Sequence, residues 1–214
     1  LVVASWITPM SYRPGQSSAD RVRDDIRAAL EARIDAFALN VFSGGQASHA
    51  LNLFTTSADK IGATNFKVFL SADTSVSLKP RELVSAILRY ADSPHYLKLD
   101  GRPVLTTYGN QDDAWWKNNI LDPLARAGHP VTFIPYFHLP RPNIDSPSEA
   151  AWADRIHSAP SIQGLFPFII PGSVPFYSGD PNAGRHQWSM LGAQENLAKP
   201  SRSAGKVLMS QSMP

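Results

Sequence analysis

Several polar or aromatic residues of this sequence stand at the ends of short apolar runs. If these runs are strands, the residues lie at strand ends, where they could bind a ligand. Asp73, in the stretch F-L-S-A-D-T, is the carboxylate placed directly at the end of such a run. It is our candidate for a catalytic general acid or base, with capping of the next turn as the structural alternative. Flat aromatic faces beside groups that bind hydroxyls are what a sugar site requires. The predicted substrate-binding residues are Trp6, Asn40, Tyr108, Tyr136 and His138.

Further polar residues fall at strand ends, where they either line a site or anchor loops by packing. They are Thr8, Ser71, Thr107, Ser210 and Ser212.

The residue types and their spacing do not support a metal site, a cysteine-based site or a serine hydrolase site. The sequence has no cysteine, which excludes disulfides, thiolate zinc ligands and cysteine nucleophiles. No histidines stand at H-x-H or H-E-x-x-H spacing, and no G-x-S-x-G elbow occurs. We therefore predict no metal site, no cofactor and no serine hydrolase.

Length and composition are those of an ordinary globular protein. The chain has 214 residues, of which 43% are hydrophobic and 18% charged, and this fits one domain. Its net charge of +2 is too small to imply a polyanionic partner, so nucleic acid binding is disfavoured. The first residues lack signal-peptide features, and no apolar run is long enough to span a bilayer. We expect a soluble protein with no membrane partner, such as the mature form of a secreted one.

The stretch from residue 33 to residue 42, R-I-D-A-F-A-L-N-V-F, is an almost unbroken apolar run. Such a run suits a strand covered on both faces in a parallel sheet. Ligands of parallel sheets lie beyond the carboxyl ends of the strands, which is why Asn40 is of interest. Similar runs recur roughly every thirty residues, the length of one strand with its crossover helix. The seven predicted strands are Val2–Ile7, Ala36–Val41, Phe66–Ser71, Pro103–Thr107, Val131–Phe137, Gln163–Ile169 and Val207–Met209.

Helical patterns fill most of the gaps between these strands. Each has apolar residues at three- and four-residue spacing and a start or stop signal at its ends. The five predicted helices begin after the Ser-Ser-Ala-Asp segment ending at Asp20, at about His49 (ending at Ile61), at Pro80, after Asp113 (ending before Gly128) and near Pro147.

Alternation of strands and helices predicts an α/β fold with a parallel sheet. A doubly wound nucleotide-binding sheet would carry a glycine-rich turn after its first strand, and none occurs. A TIM-type (β/α)-barrel is therefore the better prediction, as a single domain over residues 1–214. Such a barrel needs eight strands and we count seven. Either one strand has escaped notice or the chain lacks its last strand.

Five stretches of the sequence resemble glycoside hydrolase family 71, the fungal α-1,3-glucanases or mutanases. They are D-D-I-R-A-A-L-E-A-R-I-D-A-F-A-L-N-V at 24–41, N-F-K-V-F-L-S-A-D at 65–73, Y-L-K-L-D-G-R-P-V-L-T-T-Y-G at 96–109 and, more loosely, V-T-F-I-P at 131–135 with G-K-V-L-M at 205–209. The resemblance implies a (β/α)8 barrel that hydrolyses α-1,3-glucan with inversion, secreted or in the cell wall. It places Asn40, Asp73 and Tyr108 at matching strand ends. Trp6, Tyr136 and His138 rest on strand position alone.

The sequence also departs from the family pattern. The family's catalytic Asp and Glu stand three residues apart, and no D-x-x-E occurs here. Ser5 stands where the family has a histidine, and Tyr136 stands where an acidic residue is expected. Two hypotheses follow. The protein is a glycosidase on an α-glucan, its barrel completed by further sequence or another chain, or it is a non-catalytic carbohydrate-binding relative.

Overall fold

The computed structural model describes residues 1–6, 17–74, 78–108, 112–135, 149–165 and 198–208. The chain divides into two compact units, Leu1–Thr132 and Phe133–Pro214. The strands of the first unit are β1 (Val3–Trp6), β2 (Ala36–Val41), β3 (Lys67–Asp73), β4 (Lys98–Leu99) and β5 (Arg102–Tyr108). Its helices are α1 (Ser18–Glu31), α2 (Gly44–Lys60), α3 (Pro80–Tyr90), α4 (Asp113–Trp116) and α5 (Asp122–Arg126), the last two joined by a π-helical turn, Lys117–Leu121.

Strand β6 (Thr132–Ile134) lies where the first unit passes into the second. The second unit contains α6 (Glu149–His157), β7 (Gly164–Leu165) and β8 (Val207–Leu208), and β7 pairs with β8 in parallel. The Gln163 side chain accepts a hydrogen bond from the Phe133 amide at 2.8 Å, and the Gln163 amide donates to the Phe133 carbonyl at 2.9 Å. These bonds join the start of the second unit to β7. The prediction of a single domain stays a prediction.

The sheet of the first unit has the strand order β1-β2-β3-β5-β4, with β1, β2, β3 and β5 parallel. Trp6 of β1 contacts both Asp25 of α1 and Phe54 of α2, which places these two helices on one face. Helix α3 packs on α2, and the π-helical turn packs on α3. The helices therefore form one continuous layer, as in the wall of a (β/α)-barrel, whereas a doubly wound sheet carries helices on both faces.

Strand β2 is buried as predicted. Each of its residues except the half-buried Asn40 is shielded from solvent. It lies between β1 and β3, and on its helix side Phe37 makes edge-to-face contacts with Phe54 and Phe66, at ring-centroid distances of 5.8 and 5.0 Å. The apolar run in the sequence is therefore explained, as predicted, by a strand that is covered on both faces.

Helix α2 begins at Gly44, five residues before the predicted start at His49. The Ser43 hydroxyl accepts a hydrogen bond from the Gln46 amide at 3.2 Å, and the Gln46 side chain accepts one from the Phe42 amide at 2.7 Å. This reciprocal arrangement is a variant of the capping box, which stabilises the first turn although it contains two glycines. The predicted start was wrong because the apolar periodicity begins later than the cap.

Gly44 allows α2 and α3 to approach closely. A β-carbon at this position would lie 2.5 Å from the backbone carbonyl carbon of Glu82 in α3 and 2.8 Å from its Cα. At the next residue, Gly45, a β-carbon would have no atom within 4 Å. Only the first of the two glycines is therefore required by packing.

The predicted fourth helix is present, with its start after Asp112 and its end before Gly128, but it contains a π-helical turn. At the end of that turn the Asp122 amide donates to the Lys117 carbonyl, five residues back. Pro123 follows and has no amide hydrogen to continue an α-helical ladder, so a widened turn ahead of it avoids a clash of its ring with the preceding turn.

All seven predicted strands have a counterpart, and one short strand, β4, was missed. It pairs antiparallel with β5 through a two-residue turn, Asp100-Gly101, in which both residues have positive φ, 50° and 75°. An Asp-Gly pair is the usual sequence of such a type I′ turn.

None of the helices in the described ranges has an apolar stretch of membrane-spanning length.

Candidate active site

The register of the sheet brings polar side chains of three strands to one face. Asn40, Ser71 and Thr106 are register partners across β2, β3 and β5. Two residues further along, Asp73 is the partner of Tyr108. Since side chains alternate along a strand and register partners share a face, all five lie on the same side of the sheet. Phe37 points to α2, so this side is the one opposite to the helices.

These five residues differ in exposure. Asp73 is 4% exposed, Ser71 is 7% exposed and Thr106 is fully buried, whereas Asn40 and Tyr108 are half-buried. The Thr106 hydroxyl donates to the Leu70 carbonyl at 3.3 Å. The arrangement is a floor of small polar groups with an amide and a phenol accessible at its rim. It lies at the carboxyl ends of the strands, where (β/α)-barrels bind their ligands.

Asp73 and Tyr108 are coupled electrostatically. Burial, and secondly the negative charge of Asp73, raise the pKa of the Tyr108 hydroxyl. The phenol therefore keeps its proton at neutral pH and can donate a hydrogen bond. The amide and hydroxyl of Thr74 donate to the Tyr108 carbonyl at 2.7 and 3.2 Å, which ties the residue after β3 to the end of β5.

The group can bind a hydroxyl-rich ligand, because it combines an amide, two small hydroxyls, a phenol and a carboxylate. Asp73 is also chemically able to transfer a proton. It is the only Asp or Glu within the strands that the structure describes. Hydrolysis by two facing carboxyl groups would need a second acid from elsewhere in the protein.

Trp6 does not join this group. Its indole nitrogen donates to Asp25 Oδ2 of α1 at 3.1 Å, and its ring meets Phe54 edge-to-face at 4.8 Å. It borders a cavity of about 430 Å³ between β1 and α1, which Arg21 and Asp25 also line. Trp6 is thus on the helix side of the sheet, opposite to Asp73.

Of the remaining predicted residues, Thr107 is the register partner of Ala72 and lies on the helix side. Thr106 is the threonine on the same face as Asp73, and the sequence reasoning did not name it. The alternation rule supplies the signal, since Thr106 stands two residues before Tyr108 and must share its face. The predicted residues that lie outside the described ranges are Thr8, Tyr136, His138, Ser210 and Ser212.

The fold resembles those of several solved enzymes. The GH99 endo-α-mannosidase from Bacteroides thetaiotaomicron superposes with a TM-score of 0.64 over 98% of this chain and 70% of that one, at 13% identity. A mandelate racemase/muconate lactonizing enzyme from Roseiflexus sp. gives a TM-score of 0.52 over 99% of this chain and 48% of that one, at 12% identity. At these identities the likeness concerns the fold alone. The predicted α/β class is confirmed, and a TIM-type barrel is consistent with it.

The sequence comparison is more specific. The model of glycosyl hydrolase family 71 matches residues 2–168, which is well over half of the chain. The chain belongs to this family, as its sequence motifs predicted. The glucan endo-1,3-alpha-glucosidase agn1 of Schizosaccharomyces pombe is 28% identical over 144 residues, which are 63% of this chain and 33% of that protein. The match thus spans about a third of that relative's length.

Proposed function

We propose that this protein is a glycoside hydrolase that cleaves α-1,3-glucan with inversion at the anomeric carbon. Membership of glycosyl hydrolase family 71 and the similarity to the S. pombe endo-1,3-alpha-glucosidase support the reaction class and the substrate. Location outside the cell or in its wall is part of the same proposal, since an insoluble polysaccharide is met there.

The observation that carries the site assignment is the pairing of Asp73 with Tyr108 on the helix-free face, above Asn40, Ser71 and Thr106. Asp73 is the proposed catalytic residue, acting as the acid or the base. Asn40 and Tyr108 are the proposed ligands of substrate hydroxyls. Tyr136 and His138 are proposed for the same rim from their place in the sequence, and Trp6 is not.

Inverting hydrolysis proceeds in one displacement. The oxygen of a water molecule bonds to the anomeric carbon while a carboxylate takes a proton from that water. At the same time a carboxylic acid gives a proton to the departing glycosidic oxygen. Asp73 supplies one of these two groups. We place the other outside the described residues, in this chain or in polypeptide that completes the barrel.

Activity assays on the longest native form of the protein test the proposal. Wild type is expected to release reducing sugar from α-1,3-glucan, with the inverted anomer appearing first in proton NMR spectra. Asp73→Asn should lower the rate at least about 100-fold, because it removes proton transfer. Asp25→Asn is the matched control, since it alters a carboxylate on the opposite face. Equal rates for wild type and Asp73→Asn would refute the role of Asp73.

Two threonines give a second matched pair. Thr106→Val removes a hydroxyl from the site face, whereas Thr107→Val removes one from the helix face. We expect the first to raise KM or lower kcat and the second to leave both near the wild-type values. Inactivity of the native protein on α-1,3-glucan, α-1,4-glucan and β-glucan alike would exclude the glycosidase function.

A non-catalytic carbohydrate-binding protein is the second candidate. It is favoured by the finding that Asp73 is the sole acid in the described strands. Sedimentation with insoluble α-1,3-glucan distinguishes the two functions. A binding protein would be retained on the glucan without releasing sugar, would keep its affinity in Asp73→Asn, and would lose it in Tyr108→Ala.

A further inference from the structure

Phe42 directly follows strand β2 and carries an exposed aromatic ring. It is 38% exposed, whereas most large apolar side chains in the described ranges are buried. The other exposed ones in those ranges are Leu1, Val2, Leu30 and Val207. Three of these lie at the amino end of the strands, since Leu1 and Val2 precede β1 and Leu30 is in the last turn of α1. In the first unit, Phe42 is thus the exposed apolar residue at the carboxyl end, where the candidate site lies.

The sheet register places Phe42 beside Asp73. The last paired residues of β2 and β3 are Val41 and Ala72. Phe42 and Asp73 are the next residues of the two segments, each one Cα–Cα step of about 3.8 Å beyond that pair. Neighbouring strands lie about 4.8 Å apart, so the two residues are neighbours at the strand ends. A sugar unit held near Asp73 is therefore within reach of the Phe42 ring.

The alternation of side chains along β2 assigns the ring to the helix-free face. Asn40 lies on that face and Val41 on the opposite one, so Phe42 follows Asn40. The chain then turns toward α2, which packs on the other face of the sheet. The layer above the floor of small polar groups thus combines an aromatic ring, the carboxylate of Asp73 and the phenol of Tyr108.

The backbone of Phe42 is held by the first turn of α2. Its amide donates to the Gln46 side chain at 2.7 Å, and the adjacent Ser43 hydroxyl accepts a hydrogen bond from the Gln46 amide at 3.2 Å. Neither bond involves the ring, so both remain when the Phe42 side chain is changed. A ring on a fixed backbone loses little conformational freedom when it binds a ligand, which favours binding.

A flat aromatic face beside hydroxyl-binding groups is the chemistry that recognises a sugar. The C–H groups on one side of a pyranose ring pack on the negative face of an aromatic ring. The hydroxyl groups around the edge of the sugar need hydrogen-bond partners, which the half-buried Asn40 and Tyr108 supply. A single exposed phenylalanine is unremarkable on most protein surfaces, but this one lies next to those partners and to the proposed catalytic carboxylate.

We propose that Phe42 is a stacking platform for the glucose unit that lies beside Asp73. The proposal rests on the proposed function, because it takes the ligand to be an α-1,3-glucan. The ring contacts C–H groups and none of the atoms that exchange a proton or a bond. It therefore binds substrate and transition state about equally, so its loss raises KM and leaves kcat near the wild-type value.

Kinetics and calorimetric binding with soluble α-1,3-linked glucose oligosaccharides test the platform in the longest native form of the protein. For Phe42→Ala we expect KM and Kd to rise about 5- to 30-fold, because apolar contact area is lost, with kcat within about twofold of wild type. Phe42→Leu keeps an apolar side chain without a flat face and should also bind more weakly. Phe42→Trp keeps the flat face and should bind about as well as wild type.

Leu30→Ala is the matched control, since it truncates an apolar side chain of similar exposure, 40%, at the opposite end of the strands. It should leave KM, Kd and kcat unchanged. Circular dichroism spectra show whether each variant is folded, and truncation of an exposed side chain costs little stability.

The outcomes separate the platform from the enzymatic function. Wild-type values of KM and Kd in Phe42→Ala or in Phe42→Leu, with wild type active on the glucan, would overturn the platform alone, as would a loss of kcat at constant KM. Weaker binding by Phe42→Ala in a protein that binds the oligosaccharides without cleaving them would support the platform and overturn the glycosidase function. A wild-type protein that neither binds nor cleaves them would overturn both.

Discussion

The two adjacent glycines at the start of α2 offer a sharp test of how this fold is packed. Gly44→Ala places a methyl group 2.5 Å from the Glu82 carbonyl carbon, whereas an ordinary contact is at least 3.4 Å. The Glu82 Cβ would lie closer still, so a displacement of at least 0.9 Å (3.4 minus 2.5) must be taken up by the backbones of α2 and α3, since none of these atoms can rotate away. Gly45→Ala adds the same methyl group in open space.

The magnitude follows from that displacement. Separating two packed surfaces by 0.5 to 1 Å loses roughly a quarter to a half of their dispersion attraction, and overpacking typically costs about 1–3 kcal/mol. The hydrogen bond from the Tyr90 hydroxyl to Asn52, which joins the same two helices at 3.3 Å, would be strained as well. For a chain of this size we expect Gly44→Ala to melt about 3–10 °C lower than wild type. Gly45→Ala should gain up to about 1 kcal/mol from helix propensity.

Circular dichroism at 222 nm during heating, with urea unfolding at 25 °C, measures both variants against wild type. The sign of the difference between the two variants is the decisive result. Equal stability of Gly44→Ala and Gly45→Ala, or a Gly44→Ala protein as stable as wild type, would show that α2 and α3 do not approach each other at Glu82 as described.

Three further outcomes are expected. Phe54→Ala should cost about 3–5 kcal/mol in urea unfolding, and Phe54→Leu much less, because the buried ring packs edge-to-face on Trp6 and Phe37; equal costs would contradict this. The pKa of Tyr108 is higher in the folded protein than in the unfolded chain. The contribution of Tyr108 to stability is therefore complete below about pH 10 and is lost as the pH rises through the folded pKa. Tyr108→Phe should accordingly show a smaller decrease in melting temperature at alkaline pH than wild type does. Ser43→Ala should cost about 1 kcal/mol by removing the cap of α2, and no loss would contradict that role.

The parts of the fold that sequence reasoning predicts well are those with a strong local cause. The run from Ala36 to Val41 is apolar because β2 is covered on both faces, and burial of that kind leaves a mark on nearly every residue. The helix opened by Pro80 is equally clear, since proline is favoured in a first turn and Leu83 and Ile87 follow on one buried side.

The misses have local causes too, but weaker ones. The start of α2 depended on Ser43 and Gln46, a capping signal that carries no apolar periodicity. The hairpin of β4 is marked by the Asp100-Gly101 dipeptide, in a region to which no helix or strand was assigned. Both signals were in the sequence, and both were outweighed by hydrophobic pattern.

The positions of the candidate site residues were predicted in part, because the sequence did not fix which face of the sheet each side chain lies on. Position at a strand end puts Asn40, Asp73 and Tyr108 together, as the register confirms. Which way a side chain points depends on the parity of the strand, and a prediction accurate to one or two residues cannot fix it. Trp6 and Thr107 consequently fell on the helix side, and Thr106 was overlooked.

The strand order β1-β2-β3-β5 has a consequence for how the chain is made. Strands β2, β3 and β5 each pair with the parallel strand that precedes them in the chain. The first unit can therefore assemble by one strand and one helix at a time as the polypeptide leaves the ribosome. Strand β1, by contrast, pairs only with β2 among the described strands. Within that set its outer edge stays open, so it is a place where a newly made chain would be exposed to a chaperone or to another copy of itself.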